Sequence, residues 1–156
     1  MQPENSIDTG EPNPPITKDK LKEILHAHKL WLDSEGKEGQ VADLKGANLK
    51  GAILISSNLQ GANLQGANLY GAYLKKASLK NADLVGANLR GANLRWVNLD
   101  QANLSGANLV RADLKDAIFT NTNLKGANLK MADGLTQKQI DSALIDDSTQ
   151  LPSGYA

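Results

Sequence analysis

Apolar and polar positions along residues 42–131 follow one five-residue cycle, repeated eighteen times without interruption. Each cycle runs Ala, then Asn or Asp, then Leu, then two variable residues. The third position, from Leu44 to Leu129 in steps of five, is Leu seventeen times and Phe once, at Phe119. The first position is Ala in fifteen cycles and Ser57, Val97 or Thr122 in the others. Neither the 3.6-residue period of a helix nor plain strand alternation produces this pattern. Ala47 and Leu49 lie two apart, so an extended backbone points both to one side. The next pair, Ala52 and Leu54, begins three residues after Leu49 and would face the opposite way unless the chain turned a corner at Lys50 and Gly51.

Glycine supports that corner. It closes nine units, at Gly46, Gly51, Gly61, Gly66, Gly71, Gly86, Gly91, Gly106 and Gly126, and Asn81 and Asn121 close two more. A turn over Leu-x-Gly-Ala with a left-handed third residue is type II, which favours Gly or Asn there. The other seven closing residues are Ser56, Lys76, Trp96, Gln101, Arg111, Asp116 and Met131. At these the expectation is a different turn, without positive φ. A chain that bends the same way every five residues is a coil with Leu and Ala inside, each unit relying on its neighbours for burial.

The A(D/N)LXX pattern, which spans 90 of 156 residues, resembles the pentapeptide-repeat family. The resemblance implies an all-β solenoid, a right-handed quadrilateral β-helix with four units per coil. Eighteen units then make about four and a half coils, rising roughly 4.8 Å per coil into a rod about 20 Å long. Each buried Leu contributes ~1.5–3 kcal/mol before conformational entropy is subtracted.

The flanks read as caps for the open ends of the solenoid. Lys18 to Asp33 forms an amphipathic helix with Thr17 as N-cap. Leu21, Leu25, His28 and Leu32 share one stripe, with Ile24 and Trp31 beside it. Near the other end Thr136 and Gln139 make a capping box, with Leu135 and Ile140 as a staple, for a short helix to about Leu144, followed by Leu151-Pro152 and a loose end. Both flanks also resemble segments of the family, of the types LHxHxxWLxSxGKEG and GLTxxQ. The chain therefore divides into a disordered Pro-rich tail (1–15), an N-terminal helical cap (16–41), the repeats (42–131) and a C-terminal helical cap and tail (132–156).

No cysteine is present, so disulfide and thiolate chemistry are excluded. No apolar run reaches membrane-spanning length and the acidic start is unlike a signal peptide, so a soluble cytoplasmic protein is expected. His26 and His28, two apart on a helix, point to different sides and cannot share a metal. No Ser or Thr stands in a nucleophile motif, and a Leu-filled interior leaves no substrate pocket. The expectation is no catalytic residue, no metal, no cofactor and no enzymatic activity.

Charge is balanced overall but unevenly placed. The repeats carry eleven Lys and Arg against five Asp, a balance of +6. The residues before them carry five Lys against eight acids, and those after them one Lys against four Asp, so each flank is −3. Some members of the family imitate duplex DNA and bind DNA gyrase, which requires carboxylates where phosphates would lie. This rod presents cations, so gyrase binding ranks last.

Placing every fourth unit on one side groups Ile53, Ile55, Tyr73, Lys75, Lys76, Arg95, Trp96 and Lys115, with Tyr70 and Arg90 on the preceding side. Exposed aromatic and aliphatic residues among cations mark a candidate interaction surface. The Asn48, Asn68, Asn88, Asn108 and Asn128 column reads as structural, its amides hydrogen-bonding from coil to coil. The leading expectation is a rigid interaction protein that docks an unidentified protein partner. The alternative is binding of a polyanion such as nucleic acid to the basic rod. A C-terminal helix covering the rod's end points to a monomer.

Overall fold

The computed structural model describes residues 13–155. Its repeats wind into a solenoid in which each unit pairs in parallel with the unit twenty residues on. Asp43 bridges Asn63, Asn48 bridges Asn68, Ile53 bridges Tyr73 and Asn58 bridges Ser78, and these four ladders continue up the rod, one per side. Four units therefore complete one circuit. Within a unit the Leu amide donates forward to the next coil and the Asn amide back to the previous one. Leu89 donates to Asn108 O at 2.7 Å and Asn88 to Ala67 O at 2.9 Å. The interior Leu residues from Leu44 to Leu129 are 0–2% exposed, with Phe119 among them at 2%. Thr122 replaces Ala without leaving a buried hydroxyl unmet, because its Oγ1 donates to Leu99 O at 2.6 Å.

The corners differ from expectation. All eighteen closing residues have positive φ, including Ser56, Lys76, Trp96, Gln101, Arg111, Asp116 and Met131, at 55° to 61°. Every corner is also closed by the same bond from the next unit's first amide to the Leu carbonyl, such as Ala102 N to Leu99 O at 2.9 Å. The reason is lateral pairing. In fifteen of the eighteen units the closing residue's amide donates to the chain one circuit on, as in Lys76 N to Arg95 O and Trp96 N to Lys115 O; Asp116, Gly126 and Met131, near the C-terminal end, keep the same corner without it. That fixed direction imposes the left-handed backbone on whichever residue stands there, despite a cost of ~1–2 kcal/mol for residues with a Cβ.

The Asn column also works differently from the sequence expectation. In all fourteen units with Asn or Asp at the second position, the side-chain Oδ1 accepts from the backbone amide two residues on, as in Asn103 from Ser105 and Asp113 from Lys115. Amide-to-amide bonding between coils occurs once among the described residues, from Asn88 to Asn68. The residue's main task is to brace its own corner as an Asx turn. Only an acceptor is needed, so Asp43, Asp83 and Asp113 substitute for Asn.

Helix α1 (Lys18–Asp33) covers the N-terminal end, with Thr17 Oγ1 accepting from Lys20 N. His28 is fully buried, stacks on Trp31 and accepts from Ala42 N at 3.0 Å through Nδ1. Burial lowers its pKa below the ordinary value near 6.5, while the backbone of Gln60 acts weakly in the opposite sense. The turn after α1 requires Gly39, where a Cβ would lie 2.2 Å from Ala27 O at a φ of 73°. Most of the expected disordered tail, residues 1–12, lies outside the described residues. Its last residues lie along the first coil: Pro15 bridges Asn48, and Ile16 N donates to Asn48 O.

At the other end α2 (Gln137–Ser142) begins with the expected Thr136–Gln139 capping box. Gln139 Nε2 donates to Ala117 O, which no further coil takes up, and to Leu114 O, which also accepts from Ala117 N across its own corner. The helix stops at Ser142, two residues short of the expected end. Leu144 bridges Asn123 and Gln150 bridges Asn128, so the segment after the helix extends two ladders without the repeat motif. Asp146 braces the connection; hydrogen bonds from Ser148 and Thr149 hold its carboxyl below the usual carboxylate range. Tyr155 Oη donates to Leu135 O at 2.7 Å. Gly134 is required where the chain leaves the last coil, since a Cβ would sit 2.7 Å from the Lys115 backbone.

Candidate interaction surface

The twenty-residue register stacks corresponding positions of successive coils one above another. It sets Ile55, Lys75, Arg95 and Lys115 in one column, and Lys76, Trp96 and Asp116 in the column at the corner beside it. Like charges one coil apart repel. Here the cations share contact with one aromatic ring. Lys75 Nζ and the Arg95 guanidinium each lie 5.0 Å from the Trp96 ring centroid, and Lys76 Nζ lies at 5.9 Å. Each such contact contributes ~0.5–1 kcal/mol at an exposed site. The left-handed backbone at residue 96 sets the indole at the corner, where it is 41% exposed.

Asp113 approaches Arg95 at 3.6 Å, leaving two of the three cations around the ring without an ion-pair partner among the described residues. Arg95 Nε is buried and makes no hydrogen bond to a described residue. The cluster thus carries surplus positive charge around an accessible ring. Its chemistry suits carboxylates or other anions offered together with apolar surface.

The ten candidate residues are only partly brought together. Lys75, Lys76, Arg95 and Trp96 form one contact group. Lys115 stands next along the Arg95 column, its carbonyl accepting from Trp96 N. Ile53, Ile55 and Tyr73 are exposed further toward the N-terminal end of the same side. Tyr70 belongs to the adjoining side, where Lys50 lies over its ring at 5.5 Å, and Arg90 stands in that same column. Asp113 and Lys50, absent from the ten, are drawn in by contacts between coils. An eighteen-residue offset between acid and donor, seen again where Gln65 donates to Asp83, would have identified Asp113.

Among the described residues no cluster of His, Asp and Glu could hold a metal ion, and no helix is long and apolar enough to cross a membrane. The family description Pentapeptide repeats matches in eight copies over residues 42–69, 67–106 and 92–130. No curated protein matches the chain. Among solved structures, a pentapeptide repeat protein (Rfr23) from the cyanobacterium Cyanothece 51142 is 37% identical over 61% of this chain, with a TM-score of 0.56. The match spans 64% of that protein, a little under two thirds of its length. HetL, a pentapeptide repeat protein from the cyanobacterium Nostoc sp. strain PCC 7120 involved in heterocyst differentiation regulation, is 33% identical over 69% of this chain and 57% of its own, with a TM-score of 0.48. QnrB1, a plasmid-mediated fluoroquinolone resistance protein, is 17% identical over 67% of this chain and 60% of its own, with a TM-score of 0.32. At that level the likeness bears on neither activity nor partner.

Proposed function

The chain belongs to the pentapeptide-repeat family, and from that premise we propose that it is a non-enzymatic interaction protein of the cytoplasm. In this reading the rod is a right-handed quadrilateral β-helix of about four and a half coils that works as a monomer. A protein partner docks on the side bearing Tyr73, Lys75, Arg95 and Trp96. The observation that carries the proposal is the exposed Trp96 ring with three cations around it and one carboxylate partner. Aromatic and Arg residues dominate interface energetics, and the twenty-residue pairing holds these on rigid backbone. The test is capture from source-cell lysate with the wild type beside a Tyr73→Ser, Lys75→Glu, Arg95→Glu, Trp96→Ser variant. A protein retained by the wild type alone, and binding it again when purified, supports the reading. Equal capture by both overturns the placement.

A polyanion is the second reading, favoured by the +6 balance of the repeats. It requires binding to nucleic acid that falls steeply as salt is raised. Absence of a gel shift at low salt eliminates it. A DNA-mimic role toward gyrase ranks third, because it needs carboxylates in place of these cations, and a supercoiling assay indifferent to excess protein would close it.

A further inference from the structure

Between α1 and the first coil runs a groove of about 720 Å³, which reaches, at Ile53, the N-terminal end of the side that carries the Trp96 cluster. Leu21, Leu25 and Ala52 are half-buried in its lining, and Lys18, Lys22 and Lys50 are exposed along it. None of these three ammonium groups makes an ion pair with a described residue. The volume lies in the range of sites that accept ligands.

At one point the groove meets an open strand edge. Ile53 is 73% exposed, and neither its N–H nor its C=O is hydrogen-bonded among the described residues. The opposite edge of that strand is fully used, by Tyr73 N donating to Ala52 O and Leu54 N to Tyr73 O. One side of the rod earlier, the same edge is already extended. There Pro15 bridges Asn48, and Ile16 N donates to Asn48 O at 3.0 Å. The chain then turns into α1 and leaves Ile53 unpaired.

We propose that this groove binds an extended acidic polypeptide segment with an apolar centre, which adds a strand to the edge at Ile53. Its carboxylates meet Lys18, Lys22 and Lys50, and its apolar residues cover Leu21, Leu25 and the Ile53 side chain. The edge offers one donor and one acceptor. A peptide backbone satisfies both, whereas a phosphodiester or a lipid phosphate has no N–H for the Ile53 carbonyl. Charge complementarity and the edge together therefore select a polypeptide.

The probe is a fluorescein-labelled peptide, Asp-Glu-Val-Ile-Val-Glu-Asp, titrated into the full chain by fluorescence anisotropy. Saturable binding is expected. A Lys22→Glu, Lys50→Glu variant should weaken it roughly tenfold or more, since two favourable pairs become repulsive. Ile53→Pro, which removes the edge N–H, should weaken it several-fold with every charge retained. The Lys75→Glu, Arg95→Glu variant should bind as the wild type does, which separates this site from the Trp96 surface. In the wild type, peptide should slow hydrogen exchange of the Ile53 amide, a readout that does not depend on any variant folding. No saturation up to about 1 mM peptide overturns the proposal. Unchanged Ile53 exchange in the complex, or binding lost equally on reversing the Trp96-side charges, also overturns it.

Discussion

The left-handed corners allow a quantitative test, because glycine and non-glycine residues occupy the same backbone in one molecule. Gln101 and Arg111 sit at φ of 58° and 59° with exposed side chains that make no hydrogen bond to a described residue. A left-handed backbone costs an L-residue ~1–2 kcal/mol. Glycine removes that cost but surrenders ~0.5–1 kcal/mol through its greater freedom when unfolded. Gln101→Gly and Arg111→Gly should therefore each stabilise the fold by ~0.5–1 kcal/mol, and the two together by roughly twice that. In the reverse direction, Gly91→Ala adds a Cβ that meets nothing within 4 Å, so only backbone strain opposes it. It should lose ~0.5–1 kcal/mol. Gly134→Ala has the same sign of φ but drives its Cβ to 2.7 Å from the Lys115 backbone, so it should be far more damaging. Urea unfolding followed by circular dichroism reads all four as midpoint shifts at constant slope. If the double Gly variant unfolds at lower urea than the wild type, or if Gly91→Ala costs as much as Gly134→Ala, corner strain is not the governing energy.

Leu89→Ala removes a fully buried side chain from the middle of the rod and should cost ~2–5 kcal/mol, so an unchanged melt would contradict its interior position. Asn103→Ala deletes the acceptor for Ser105 N and should cost about 1 kcal/mol, while Asn103→Asp, which keeps an acceptor, should be nearly neutral in the same assay. His28 has a folded pKa below its unfolded value, so the unfolded chain binds more protons as pH drops under about 6.5. Stability should thus be complete above that pH and fall as acid is added through the window below it. His28→Gln, able to accept from Ala42 N, should flatten the thermal midpoint between pH 7 and pH 5. A wild-type midpoint that is already flat there would refute the role of buried neutral imidazole.

The interior was legible because burial writes itself into residue type: Leu and Ala recur wherever a side chain points inward. The span of α1 and the capping box were legible for a similar reason, since each is a local arrangement of apolar spacing and cap chemistry. Four units per circuit was not in the apolar spacing at all, which would be identical for any number of corners; the family resemblance supplied it. The corners at Lys76, Trp96 and Arg111 were misread because a glycine preference is a statement about local strain. The bonds that impose positive φ come from residues nineteen positions away. The closing segment from Leu144 to Gln150 was invisible for the same reason, as its pairing is made by backbone and asks nothing of the side chains. For the candidate surface, arithmetic on the repeat placed Lys75, Arg95 and Trp96 side by side. The Arg95–Asp113 pair depends on rotamers that run diagonally between coils.

Both caps grip particular corners of the rod. His28 of α1 holds Ala42, and Gln139 of α2 holds Leu114 and Ala117. The angle between the two caps is consequently a discrete variable, set by counting units modulo four. Inserting twenty residues would lengthen the shaft by one pitch of roughly 4.8 Å and return the C-terminal cap to its original bearing. Inserting five would swing it round by one side at a quarter of that pitch. Repeat number in such a chain acts as an indexing mechanism, in which duplication of a single unit redirects one end of the molecule and duplication of four merely extends it.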